Sequence, residues 1–222
     1  MKTQLKFLAA AALLTAGSSF AQSAGTWMLR AGATTIAPQV NSGFLSAPDY
    51  MNGTKTDVGA DTELSGGITY MWSDHLAIDL PLALPFTHKI IGDGAIKGAG
   101  DVGEVKAVPF VVFLQYRFNE ASAKFRPYVG LGATYAYFYD AKGSGKLTAL
   151  TNPGGPATTL SVDSKYAATP QIGATFALGD KWFVDVHYSK TYLSTTTHLS
   201  TGQHLDITLD PIAYGVDIGY KF

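Results

Sequence analysis

The sequence predicts an all-β chain whose strands close an eight-stranded antiparallel barrel across a membrane. Three observations carry this. Apolar residues recur with period two almost from end to end, connectors alternate between short and long, and aromatic side chains gather at the two ends of the strands. Alternation places successive side chains on opposite faces of a strand.

Residues 1–21 stand apart. Lys2 and Lys6 precede an apolar run from Phe7 to Leu14, and the segment closes on Ser19-Phe20-Ala21. This is the order of a secretory signal peptide cut after Ala21, so the barrel is expected in residues 22–222. Within it, eight segments alternate: roughly 26–36, 61–72, 75–84, 105–118, 125–140, 162–178, 181–194 and 205–222. In the first, Trp27, Leu29, Ala31 and Ala33 oppose Arg30, Gly32 and Thr34. The second sets Leu64, Ile68, Tyr70 and Trp72 against Glu63, Ser65 and Thr69; the third sets Leu76, Ile78, Leu80 and Leu82 against His75 and Asp79. In the fourth, Val108, Phe110, Val112, Leu114 and Tyr116 oppose Gln115 and Arg117. In the fifth, Val129, Leu131, Tyr135 and Tyr137 oppose Gly130, Gly132 and Thr134. The sixth places Ile172, Ala174 and Phe176 opposite Gln171, Gly173 and Thr175. The seventh places Trp182, Val184, Val186 and Tyr188 opposite Asp185, His187 and Ser189. The eighth changes phase at Asp210-Pro211, where a bulge is expected, and ends on Tyr214, Val216, Ile218, Tyr220 and Phe222.

Ser73-Asp74, 119–124 and Gly179-Asp180 are short turns. The connectors 37–60, 85–104, 141–161 and 195–204 are long and rich in Gly, Pro, Ser and Thr. An even strand count with short turns on one side and long loops on the other is the pattern of bacterial outer-membrane barrels. At a tilt near 40° each residue climbs roughly 2.5 Å, so about ten span an apolar band about 25 Å tall. The bulky face must then point to lipid, while the face rich in Gly and Thr fits a narrow lumen.

Trp27, Tyr70, Trp72, Tyr116, Phe118, Trp182, Tyr220 and Phe222 fall beside the short turns and termini. Tyr135, Tyr137, Tyr139, Tyr166, Tyr188 and Tyr192 fall toward the long loops. Two belts match the two interfaces of a bilayer. The last strand is expected to pair with the first, which leaves no open edge. Its ending on Phe222 resembles the carboxy-terminal signal that outer-membrane assembly machinery reads.

Composition excludes other classes. Of 16 basic residues, 14 remain without Lys2 and Lys6, against 17 acidic, so no nucleic-acid partner is expected. With no cysteine the chain is not a disulfide-stapled domain. His88, His198 and His204 lie in or near the outer loops with no spacing that marks catalysis or a metal. No enzyme activity and no cofactor are expected, and His88 is assigned a structural bond at the barrel mouth.

Counting from the short-turn ends sorts the inward residues by depth. Arg30, Asp79, Asp185 and Asp217 lie four or five residues from the short-turn ends, with Arg117 and Lys221 just below. Lone charges there are costly, so they are expected to pair as a floor to the lumen. Above them the expected pathway is apolar, through Ile36, Val111, Phe113, Ala136 and Phe138. Pro81, Pro109, Pro170 and Pro211 each remove a ladder donor, and one of them is expected to mark a gap through which solute leaves sideways.

Five stretches carry a family resemblance: WMLRAGATTIAP, GGITYMWSDHLAIDLPLALPFTHKI, VPFVVFLQYRF, RPYVGLGATYAYFY and DPIAYGVDIGYKF. PYVGLGATY after a short turn, and PFTHKI leaving the third strand, are the specific parts. The chain resembles the outer-membrane protein W family. That resemblance implies an eight-stranded barrel with a narrow, largely hydrophobic channel admitting small hydrophobic molecules; some members serve as colicin or phage receptors. Two functions therefore stand open: a passive channel for small hydrophobic solutes, or a non-conducting structural or receptor barrel that binds a partner through its loops.

Overall fold

The computed structural model describes residues 21–49 and 52–222, so the expected signal segment, apart from Ala21, lies outside the described residues. Strands and one helix are numbered in chain order. Eight strands make the barrel: β1 (Trp27–Ala37), β4 (Asp61–Met71), β5 (Leu76–Ala83), β7 (Asp101–Arg117), β8 (Phe125–Gly143), β10 (Lys165–Ala177), β11 (Trp182–Lys190) and β14 (Ile212–Lys221). The remaining elements lie in the long connections. They are β2 (Asn41–Ser42), β3 (Thr54–Val58), β6 (Phe86–Gly94), α1 (Gly145–Thr151), β9 (Leu160–Val162), β12 (Ser194–Leu199) and β13 (His204–Thr208).

Every barrel strand runs antiparallel to both neighbours, and β1 pairs with β14 from Met28↔Lys221 to Ala37↔Ile212, which closes the ring. The Phe222 N–H donates to the Trp27 carbonyl at 2.8 Å. The terminus is therefore tied to the first strand. Bulky residues face outward: Leu64, Leu82, Phe110, Leu131, Ile172 and Val216 are exposed, whereas Thr69, Asp79, Thr134, Thr175 and Asp217 are buried. A water-soluble barrel would show the reverse. The aromatic rings pair at each end, Trp27 with Tyr70 and Trp182 with Tyr220 beside the short turns, Tyr135 with Tyr166 and Tyr137 toward the loops.

The interior is filled large against small. Arg30 lies opposite Gly67, Phe113 opposite Gly132, Tyr128 opposite Gly173, His187 opposite Gly215 and Phe183 opposite Gly219, each pair in direct register. A Cβ at any of these glycines would collide with the facing side chain. A narrow barrel admits a large inward residue only where its neighbour has none.

One expectation is corrected. The phase change at Asp210-Pro211 is a break between β13 and β14, not a bulge inside one strand. Asp210 has φ 34°, and residues 204–208 belong to a hairpin with β12 above the barrel. That hairpin joins β2 and β9 in a separate four-stranded sheet. Beside it Ile90, Ile96, Val102, Val105, Leu147, Leu160 and Leu199 form an apolar core. The connections thus fold into a cap with its own interior.

Candidate functional site

The lower lumen is layered. At the bottom Gln22 folds inward, its side chain donating to Thr175 Oγ1 at 2.8 Å. Arg126 donates to the Gln22 carbonyl at 2.7 Å and the Asp74 carbonyl at 2.5 Å. In the next layer Arg117 donates to Gln22 Oε1 at 3.0 Å and Gln115 Oε1 at 2.8 Å, while Gln115 donates to Gln171. The Arg117 guanidinium also sits 4.7 Å from the Tyr128 ring centre.

Above this, Arg30 holds Asp79 with two bonds of 2.5 and 2.9 Å, and Thr69 donates to the same carboxylate. Arg30 Nε is 3.2 Å from Asp217 Oδ2, although the two are not aligned as a hydrogen bond. Asp185 accepts from the Tyr128 hydroxyl at 3.0 Å. His187 Nδ1 lies 3.7 Å from Asp185 and 3.6 Å from Asp217. The structure therefore brings Arg30, Asp79, Asp185 and Asp217 into one cluster. Arg117 sits among amides one layer down, and Lys221, whose electrostatic neighbours are Asp180 and Arg126, sits lower still.

A cavity rests on this cluster and reaches up to the cap; with the space open to solvent it measures about 1390 Å³. Arg30 and His187 reach its base. A belt of hydroxyls follows, with Thr134 2.5 Å from Thr169, Thr169 3.0 Å from Thr191 and Thr34 2.8 Å from Ser65. The rest of the lining is mainly apolar and includes Ile36, Val111, Phe113, Ala136 and Phe138. At the mouth His88 Nδ1 donates to the Gly59 carbonyl at 2.8 Å. Burial holds that imidazole below its ordinary range, opposed by the Gly59 bond and by Asp61.

The wall around this cavity lapses between β5 and β7. β5 and β7 pair from Leu76↔Tyr116 to Asp79↔Phe113, and β7 is next paired on that side by β6 at Phe86↔Ala107. Between them Leu80–Ala83 and Val108–Val112 carry no mutual ladder. The cause is chemical. The Arg117 N–H donates to the His75 carbonyl, and the Leu84 N–H donates to Leu64 on β4. By alternation, Pro81 and Pro109 both turn their nitrogens toward the gap, where neither has a proton to give. The residues that line the cavity at this lapse include Leu82 and Val108, whose positions alternate toward the lipid.

The other two prolines do not open the wall. Pro170 pairs with Leu131 in an unbroken ladder to β8, and on its β11 side pairing resumes at Ala168↔Tyr192. Pro211 accepts from the Thr191 N–H at 2.9 Å at the β13–β14 break.

Residues 23–222 match the OmpW family profile. The chain belongs to the OmpW family. Outer membrane protein W of Salmonella typhi is 33% identical over 225 residues, covering 98% of this chain and 99% of that one. Its counterpart in Vibrio cholerae is 31% identical over the whole of both chains. The crystal structure of OprG from Pseudomonas aeruginosa superposes with a TM-score of 0.82 at 24% identity, covering 91% of this chain and 98% of OprG. The protein is thus a barrel of the bacterial outer membrane, its exposed band in the lipid.

Several residues of this OmpW-family lumen carry no mark in the sequence. Tyr128, Phe183 and Arg126 point inward and are buried. Arg126 and Tyr128 share the phase of Gly130 and Gly132, and Phe183 that of Asp185 and His187, and that phase is the available signal; only the cross-strand register shows which glycine admits which ring. Gln22 gives no periodic signal, because it precedes the first strand.

Proposed function

We propose that this chain is a passive outer-membrane channel for small hydrophobic molecules. Solute enters the apolar upper lumen from the cap side and leaves sideways into the bilayer between β5 and β7. The observation that carries this reading is the contact between the apolar cavity and the lipid-facing residues Leu82 and Val108, where Pro81 and Pro109 interrupt the ladder. The buried polar layers below support sideways rather than downward exit, because an apolar solute gains nothing by displacing bonded ionic groups. The pathway residues are Ile36, Val111, Phe113, Ala136 and Phe138; Arg30, Asp79, Arg117, Asp185, Asp217 and Lys221 with their partners form the floor. The assembly machinery would read the last strand with its terminal Phe222.

The test is uptake of a labelled small hydrophobic compound by cells carrying Pro109→Val, alone and with Pro81→Val. Valine restores the missing donors, so uptake should fall, and further in the double variant. Undiminished uptake removes the lateral route. No uptake by the parent chain, with no conductance in planar bilayers, would favour the receptor barrel.

A further inference from the structure

We propose that Asp185, His187 and Asp217 form a binding site for a divalent transition-metal cation of the zinc type at the base of the lumen cavity. The three side chains come from the facing strands β11 and β14, with Asp185 opposite Asp217 in direct register. Their donor atoms all lie within 4.8 Å of one another. His187 Nδ1 is 3.7 Å from the Asp185 carboxylate and 3.6 Å from that of Asp217. These spacings are too long for hydrogen bonds. They are near the edge of a tetrahedron whose donors stand about 2.1 Å from a central zinc, which is about 3.4 Å.

Hydrogen bonding gives an independent indication. The Asp217 side chain is 1% exposed, yet neither of its oxygens accepts a hydrogen bond, and His187 Nδ1 is likewise unpartnered. A buried carboxylate in this state is expensive unless something positive meets it. Arg30 is already engaged by both oxygens of Asp79 and reaches Asp217 only out of line. Around the cluster the carboxylates of Asp79, Asp185 and Asp217 face the guanidiniums of Arg30 and Arg117, so one negative charge is left over. A cation held by Asp217, His187 Nδ1 and the Asp185 carboxylate, which already accepts from Tyr128, would offset it.

The other ring nitrogen of His187 contacts Thr34 Oγ1 at 3.3 Å, an outer bond that fixes the imidazole with Nδ1 toward the carboxylates. One imidazole and two carboxylates suit zinc and its neighbours better than calcium or magnesium, which prefer oxygen alone. His187 lines the cavity while Asp185 and Asp217 lie beneath it, so a cation arriving from above meets the imidazole first. The site does not depend on whether hydrophobic solutes pass.

The test is titration of the full chain, folded in detergent micelles, with Zn²⁺ alone by calorimetry. His198→Ala and His204→Ala are placed in the background, because those two loop rings stand 6.4 Å apart and could bind metal on their own. One-to-one uptake is expected. His187→Gln, whose amide can still reach Thr34, and Asp217→Asn should each abolish it. Co²⁺ should give four-coordinate ligand-field bands that vanish in His187→Gln. If Asp217→Asn does not fold, His187→Gln carries the test. Absence of uptake by the background protein, or uptake unchanged in His187→Gln, overturns the site.

Discussion

Phe183 lies flat over Gly219, its direct partner on β14, so closely that a methyl group on that glycine would overlap the ring. The ring cannot swing away, because it is packed with Met28, Met71 and Ala77 in a buried cluster at the short-turn end. Gly219→Ala should therefore destabilise the barrel by about 1–3 kcal/mol, the usual cost of overpacking. Urea unfolding in lipid vesicles measures it. Adding Phe183→Leu should recover part of the loss, since the two changes share one space and do not add. Full additivity would count against this packing.

The Arg30–Asp79 pair predicts a larger effect. Both side chains are buried, at 5% and 0% exposure, and both Asp79 oxygens are engaged. Arg30→Met leaves Asp79 with Thr69 and no charge partner, which should cost about 3–5 kcal/mol. Arg30→Met with Asp79→Leu should cost less than Arg30→Met alone, because Asp79 is no longer stranded and only Asp217 loses its arginine. Thermal unfolding in micelles compares the three proteins. Planar-bilayer conductance of Arg30→Met should rise as the floor loosens.

The strands were legible because a lipid-facing wall imposes strict alternation, and Leu64, Leu131 and Val216 report it without any knowledge of register. The belts were legible for the same reason. Depth counting also brought Arg30, Asp79, Asp185 and Asp217 to one level. It also put Arg117 just below them, but not its partners, because strand stagger and the inward fold of Gln22 decide those. Nor could it choose among the prolines. Pro81 and Pro109 differ from Pro170 only in what faces their nitrogens, which is a property of pairing and not of either strand alone. The cap escaped for a third reason. Its strands are short, and their apolar residues pack against one another rather than against lipid.

His88 gives the chain a pH-dependent mouth. His88 stands on β6 opposite Val105, outside the eight barrel strands, and burial lowers its pKa from the ordinary 6.5. The unfolded chain thus takes up a proton before the folded one does. Stability is complete above about 6.5 and declines as pH falls from there toward the lowered folded value. Thermal midpoints measured at about pH 7.5 and about pH 5.5 should fall further for the parent than for His88→Gln, which does not titrate in that window. Equal falls would assign the pH effect to other groups.

Phe222 is 59% exposed, its ring meets Tyr220 at 4.9 Å, and its N–H holds Trp27. Phe222→Ala keeps the backbone bond and loses only a ring already in the interfacial belt. Refolding in vesicles should change little, by about 1 kcal/mol or less. On the proposal that the assembly machinery reads that side chain, the amount of barrel in the outer membrane of living cells should drop clearly. Equal cellular levels would show that it is not read.

Closing the lateral gap should move stability and transport in opposite directions. Continuing the register from Asp79↔Phe113 would pair Pro81 with Val111 and Ala83 with Pro109. Each pair would exchange two backbone bonds, and each proline removes one. Pro81→Val with Pro109→Val supplies both donors, and each new bond contributes about 0.5–1.5 kcal/mol. The double variant should therefore melt higher than the parent. Amide exchange should show new protection at residues 81, 83, 109 and 111, while uptake falls. A barrel stabilised and protected in this way, yet still passing solute at the parental rate, would mean that the lapse between β5 and β7 is not the exit.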